Sequence, residues 1–299
     1  MNASARNRLL PPETLASLAN LELIARTAVN GFLSGLHRSP RFGFSQEFRE
    51  YRAYVEGDDP RFVDWNVYAR TDRTYVRRFE GETNTRLMIL LDASTSMSFG
   101  SHAVSKLQYA KFLAAALAWL AARQHDPVGL IVFDETLRQY RPATSQGGSL
   151  QSLIHTIDAV TPGGGTNLDE SFQRFREHLT RRSLVAVISD LYCDPAAMTR
   201  AVQPLAAHGH DIMLFQVLDP QEIKPQWRES VMLEDVETHQ RLNVSPEYLE
   251  GPYQQRFTAH LDALRAVAAN ARAHHALLPT DQPLNEALRR YLLFRQRRS

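Results

Sequence analysis

Several short stretches of the chain are apolar almost without interruption, and segments with apolar positions at helical spacing separate them. The first, Leu87-Met88-Ile89-Leu90-Leu91, ends abruptly in Asp92-Ala93-Ser94-Thr95-Ser96-Met97. Val128–Phe133, Ser183–Asp190 and Asp211–Leu218 repeat the pattern, and Ser183–Asp190 again closes on a carboxylate. Apolar runs of this length, bounded by turn chemistry, predict strands buried on both faces, the usual kind in a parallel sheet. The intervening patterns predict helices over 105–124, 149–160, 169–179 and 195–208. Thr136–Arg141 alternates and predicts an antiparallel edge strand after a tight turn at Asp134-Glu135. Beyond residue 218 the alternation breaks. A hairpin is predicted from 231–237 and 241–244, turning at Thr238-His239-Gln240, then a long helix over 254–273, a short strand over 275–279 and a last helix over 283–297. Alternating β and α elements predict an α/β fold, a doubly wound and mostly parallel sheet with helices on both faces.

The first 86 residues have a different texture. Pro11, Pro12 and Glu13 open a helix whose Leu15, Leu18, Leu21, Ile24, Val29 and Leu33 recur at helical spacing, with Gly35 as its stop. An amphipathic arm of this kind packs on the main domain or on a partner. Residues 37–86 mix aromatics with charges. Glu56-Gly57-Asp58-Asp59-Pro60 is a strong turn, and Thr74–Glu80 alternates like an exposed strand. The expected division is therefore 1–86, an N-terminal helix with a small β-rich extension, and 87–299, the α/β domain. Arginines interleaved with aromatics suit single-stranded nucleic acid. Asp58, Asp59, Asp64, Asp72, Glu80 and Glu82 in the same stretch would repel phosphate, so nucleic acid is not the expected partner.

Composition narrows the function classes further. The chain has 299 residues, 43% hydrophobic and 22% charged, and a formal net charge of +1, so no global field recruits polyanions. Its one cysteine, Cys193, excludes an intramolecular disulfide framework and fits a reducing compartment. No signal pattern opens the chain, and no apolar run approaches the ~20 residues that span a bilayer. The expectation is a cytoplasmic protein with no integral membrane segment.

The chemistry concentrates at strand ends, where open α/β sheets bind their ligands. Asp92, Ser94 and Ser96 end one strand, Asp190 ends another, and Thr166 follows the glycine run Gly163-Gly164-Gly165. If the two strands are neighbours, five side-chain oxygens face one crevice. Hydroxyls and carboxylates are hard ligands, suited to Mg²⁺ or Mn²⁺ rather than zinc. The glycine run lacks the Gly-Lys-Ser/Thr of a P-loop, and its role is backbone freedom for Thr166.

Asp-x-Ser-x-Ser, a later Gly-Gly-x-Thr and a strand-terminal Asp together resemble the metal-ion-dependent adhesion site of von Willebrand factor A domains. Asp92, Ser94, Ser96, Thr166 and Asp190 match that motif in order and in element context. Upstream, Phe48-Arg49-Glu50-Tyr51-Arg52, Gly57-Asp58-Asp59-Pro60-Arg61, Asp64-Trp65 and Ala69-Arg70 resemble a bacterial family known as domain of unknown function 58. In that family such a segment precedes a von Willebrand A-like domain, and its members are commonly encoded beside MoxR-type AAA+ ATPases. The resemblance spans roughly residues 37–299. It implies a divalent-metal-dependent protein-binding module, not an enzyme, that meets a MoxR-type ATPase or its client through an acidic side chain.

Other chemistries fit less well. A haloacid-dehalogenase-type phosphatase also starts from a strand-terminal Asp, but it wants a second Asp at the position of Ser94. A serine hydrolase would need a Gly-x-Ser-x-Gly elbow, which is missing. Asp92 and Asp190 taken singly read as helix caps, and Ser94 or Ser96 can cap the helix that follows. Cys193 has no nearby base, and His274 and His275 lack partners at zinc spacing. The basic tail around Arg289, Arg290, Arg295, Arg297 and Arg298 reads as the solvated end of a docked helix. The competing class is a metal-assisted phosphohydrolase using the same oxygens.

Overall fold

The apolar runs line up side by side in one six-stranded sheet. The computed structural model describes residues 10–18, 20–36, 48–55, 63–71, 73–79, 86–165, 168–227, 229–234 and 241–296. In chain order its elements begin with α1 (Pro12–Ala16), α2 (Leu21–Leu36), β1 (Phe48–Ala53), α3 (Trp65–Thr71) and β2 (Tyr75–Phe79). Then come β3 (Leu87–Asp92), a 3-10 turn at Thr95–Ser98, α4 (Lys106–Arg123), β4 (Val128–Phe133), β5 (Leu137–Thr144), α5 (Ser149–Asp158) and α6 (Leu168–His178). These lead to β6 (Leu184–Ser189), α7 (Pro195–Ala207), β7 (Asp211–Leu218) and a single turn α8 (Pro220–Ile223). The chain ends with β8 (Val231–Glu234), β9 (Arg241–Val244), the short α9 (Pro246–Tyr248), α10 (Gln254–Asn270), β10 (His274–Pro279) and α11 (Asn285–Gln296).

The sheet order is β10-β7-β6-β3-β4-β5, and all strands but β5 run parallel. This is the expected α/β, doubly wound, mostly parallel architecture. Burial follows from strand periodicity. Leu87, Ile89 and Leu91 of β3 point into one core layer, while Met88 and Leu90 point into the other. The first layer also takes α2, α4 and α11, and the second takes α6, α7 and α10. With both faces covered, the strands have no polar face to offer, which is why they read as unbroken apolar runs.

The chain leaves β3 toward β4 and β5 on one side, then returns to pair β6 with β3 on the other. The order reverses between β3 and β6, so their carboxyl ends flank the crevice where such sheets bind ligands. Register sets the two ends level: Leu87 pairs with Leu184 and Leu91 with Ile188. Asp92, the last residue of β3, therefore stands beside Ser189 and Asp190.

The N-terminal arm is packed on the main domain, but as two helices. Ser17 Oγ donates back to the Thr14 carbonyl, and Asn20 Oδ1 accepts the Leu23 N–H as a fresh N-terminal cap. The single helix expected from residue 11 is thus broken by its own side-chain chemistry between 17 and 20. Leu21, Ile24, Val29 and Phe32 of α2 are buried in the layer that holds α4. The long helix expected to reach 273 stops at Asn270, because Arg272 adopts a left-handed φ of 52° and turns the chain into β10.

In the β-rich extension, β1 and β2 pair antiparallel, as do β8 and β9 further on. The expected turns at Glu56–Pro60 and Thr238–Gln240 lie outside the described residues. Among the described residues no helix is long and apolar enough to cross a membrane.

Candidate metal centre at the carboxyl ends of β3 and β6

Asp92 is fully buried, and both of its oxygens are engaged. Oδ1 accepts the Ser94 N–H at 2.9 Å, which bends the loop back over the strand end, and Oδ2 accepts the Ser189 hydroxyl at 2.5 Å. Burial, followed by the charge of Asp190, pushes the Asp92 carboxyl up to about 7, with the bonds from Ser189 and Ser94 pulling the other way.

The two serines lie in sequence along the loop. Ser96 Oγ donates to Asp190 Oδ2 at 2.8 Å, and Ser94 Oγ lies 3.1 Å from Ser96 Oγ. A hydroxyl has one proton. Ser96 gives its proton to Asp190, so lone pairs on its oxygen stay free. Ser94 is buried while Ser96 is half-exposed, so solvent reaches the cluster from the Ser96 side.

The turn after β6 is held under strain. Leu191 sits at φ 54°, a left-handed conformation costly for a bulky side chain. Ser189 Oγ accepts its N–H at 3.0 Å, and Asp190 Oδ1 accepts the Tyr192 N–H at 3.3 Å. From the neighbouring strand β7, the Gln216 side-chain amide donates to the Asp190 carbonyl at 3.0 Å, and Gln216 Oε1 meets His275 Nε2 of β10 at 2.9 Å. The turn that carries Asp190 is therefore held from β6 through Ser189 and from β7 through Gln216, which His275 of β10 backs in turn.

The glycine loop is stitched to the same place. The Gly163 N–H donates to the Ala93 carbonyl, and the Gly164 carbonyl accepts both the N–H and the hydroxyl of Thr95, at 2.8 and 2.7 Å. Gly164 has φ 62°, and a Cβ there would come within 3.0 Å of the Asp134 carboxyl, so the position requires glycine on both counts. Of the expected ligands, Asp92, Ser94, Ser96 and Asp190 are brought together. Thr166 lies outside the described residues, although the loop leading to it is anchored on the Asp-x-Ser-x-Ser turn through Gly163 and Gly164, and the Gly165 N–H donates to Glu135 Oε1 at 2.9 Å.

Two residues of the site were not expected from the sequence. Lys106, at the head of α4, is 1% exposed, and its Nζ donates to Asp190 Oδ2 at 2.8 Å and to Glu222 Oε1 at 2.7 Å. Burial alone would lower its pKa, but Asp190 and Glu222 outweigh burial and raise it, so the ammonium stays charged. Glu222 itself is pushed up by burial and pulled down by Lys106. The lysine lies between two carboxylates and the glutamate faces one cation, so we take the lysine charge as the fixed one. Glu222 Oε2 also accepts the Asp219 N–H, closing a capping box on α8. A signal for both was present. A lysine in the first turn of a helix opposes the helix dipole, and Asp219-Pro-Gln-Glu222 spells a capping box. Neither signal says that the two residues meet.

Among the described residues no group of three or more His, Cys, Asp or Glu is placed to hold an ion. The set here is instead two carboxylates backing two hydroxyls, a donor set for hard cations.

A family model described as protein of unknown function, DUF58, matches residues 50–262. The chain belongs to the DUF58 family. The membership expected from the upstream segment and the strand-end motif therefore holds, and every described residue of the site lies within the matched stretch. The uncharacterized protein Rv1480 from Mycobacterium tuberculosis strain H37Rv is 28% identical over 230 residues, 76% of this chain and 72% of that protein. An uncharacterized protein of Mycobacterium bovis gives the same figures. Among solved structures, the chain is similar to the conserved hypothetical protein BatB from Bacteroides thetaiotaomicron, with a TM-score of 0.48 and 17% identity over 71% of this chain and 99% of that one. It is also similar to the SpRpn10 VWA domain, with a TM-score of 0.41 and 14% identity over 69% of this chain and 94% of that one.

Proposed function

We propose that this DUF58 chain is a protein-binding module that recognises an acidic side chain of its partner through a divalent cation, Mg²⁺ or Mn²⁺. The observation that carries the reading is the direct contact of Ser94, Ser96 and Asp190, residues from two different strand ends, at the sheet's switch point. Hydroxyl lone pairs in front and carboxylates behind suit a small hard ion. In this reading Ser94, Ser96 and Thr166 hold the ion, and Asp92 and Asp190 act directly or through water. When bound, the ion supplies a positive charge with a position open to a carboxylate. The chain's own residues do the positioning: the Ser94 N–H fixes Asp92, Ser189 locks its other oxygen, and Gln216 holds the turn that carries Asp190.

We further propose binding rather than turnover. The Ser96 hydroxyl is hydrogen-bonded to a carboxylate already committed to Lys106, an arrangement poorly suited to generating a nucleophile. The family resemblance makes a MoxR-type AAA+ ATPase, or a client it remodels, the proposed partner, met in the cytoplasm.

Calorimetric titration of Mg²⁺ into the wild type and Asp92→Ala tests the reading. Binding should be at least tenfold weaker in the variant, on the scale of about 1.4 kcal/mol per tenfold. Equal affinity in both removes its basis. Purification of the tagged chain with and without EDTA then asks whether an ATPase is retained only with the ion.

A further inference from the structure

A lysine with 1% exposure is unusual, because a buried ammonium is tolerated only when it is paired. Lys106 is paired twice over. Its Nζ lies 2.8 Å from Asp190 Oδ2 and 2.7 Å from Glu222 Oε1, and it stands 5.1 Å from the Tyr192 ring centroid and 5.9 Å from that of Phe99. The charge thus sits on the Asp190 carboxylate oxygen that also accepts the Ser96 hydroxyl.

We infer that Lys106 is a built-in counter-charge, which neutralises Asp190 and Glu222 when no divalent ion is present and competes with the ion for Asp190. This rests on the metal reading above and adds a regulatory element to it. Without the ammonium, Asp190 and Glu222 would be buried without a counter-ion, beside Asp92, a cost the fold could not easily carry. With it, the ion-free site is a stable folded state. An arriving divalent cation meets a fixed positive charge on its own ligand, so its affinity is held down. The grip also extends outward. Glu222 caps α8 through Asp219, its carbonyl accepts the Tyr253 hydroxyl, and the neighbouring Ile223 carbonyl accepts the Gln254 side chain at 3.0 Å. Lys106 therefore ties the site to the head of α10, so that a change in its pairing at Asp190 is felt at that corner.

The test is calorimetric Mg²⁺ titration of the full chain as wild type, Lys106→Met and Glu222→Gln, with thermal unfolding of each, with and without Mg²⁺. Removing one positive charge within a few ångströms of a bound divalent ion should tighten Mg²⁺ binding by about tenfold or more in Lys106→Met. The ion-free variant should unfold at lower temperature than the wild type and gain more from Mg²⁺. Glu222→Gln leaves the ammonium to Asp190 alone and removes a negative charge, so Mg²⁺ should bind several-fold more weakly. Equal Mg²⁺ affinity in wild type and Lys106→Met overturns the counter-charge while leaving the metal reading intact. Absence of Mg²⁺ binding in all three chains overturns the metal reading and this inference with it. If Lys106→Met does not fold, Glu222→Gln decides: an affinity unchanged or raised overturns the inference.

Discussion

Single side chains in this molecule do their work through what lies behind them. His275 shows how far that extends. It sits on β10, two strands from the site, and its Nε2 meets Gln216 Oε1, while the Gln216 amide holds the Asp190 carbonyl. Since Gln216 accepts at that oxygen, the imidazole donates through Nε2. Burial first, then the charges of Arg265 and Arg290 and the neighbouring His260, push it down from the ordinary 6.5 to about 4. The folded chain therefore resists protonation that the unfolded chain accepts. Between pH 6.5 and 4 the unfolded state binds more protons, so His275 draws stability down as the pH falls through that window and has no effect above it. His275→Gln keeps a donor facing Gln216 and removes the titration. Thermal unfolding measured from pH 7 to 4 should fall more steeply in the wild type than in His275→Gln, with the two curves parallel above 6.5. Parallel curves throughout would mean that the imidazole is not held neutral by the fold.

At the scale of elements, the sequence is readable where burial is symmetrical and obscure where tertiary pairing decides. β3, β4, β6 and β7 are covered on both faces, so each is an apolar run that announces itself. Asp92, Ser94, Ser96 and Asp190 were legible because strand ends in such sheets collect polar residues. Lys106 and Glu222 were not. They are 116 residues apart, and the local signal each carries does not say that the two meet. The break between α1 and α2 was also missed, because apolar spacing carries across it while Asn20 acts as a cap that only its bond to Leu23 reveals. The docking of α2 is measurable. Phe32 is 5% exposed in the layer shared with α4, and Leu23 on the same helix is 41% exposed. Phe32→Ala should cost about 3–5 kcal/mol by emptying a packed site, whereas Leu23→Ala should stay within about 0.5 kcal/mol. Urea unfolding reads both as shifts in midpoint. A wild-type midpoint in Phe32→Ala, with an unaltered slope, would mean that α2 unfolds separately from the sheet.

Over the whole molecule, the strand-end site and global stability are coupled by mass action if the site takes an ion. The ligands come from β3's loop and from the turn after β6, more than ninety residues apart in sequence, and they meet only when the sheet is paired. The unfolded chain offers no such set, so an ion that binds here binds the native state alone. At a free ion concentration about 100 times the dissociation constant, the gain is about 2.7 kcal/mol. For a chain of this size that corresponds to an upward shift in Tm of roughly 5 °C. The shift should appear with Mg²⁺ or Mn²⁺, vanish with EDTA, and be absent in Ser96→Ala, which removes an oxygen from the front of the site and the bond to Asp190. Salt effects are separated by matching the ionic strength with sodium chloride, which screens surface charge without filling a hydroxyl-lined site. A shift that persists in Ser96→Ala would place the ion elsewhere on the chain. A shift in the wild type alone would tie the stability of the whole sheet to the contact between its two central strand ends.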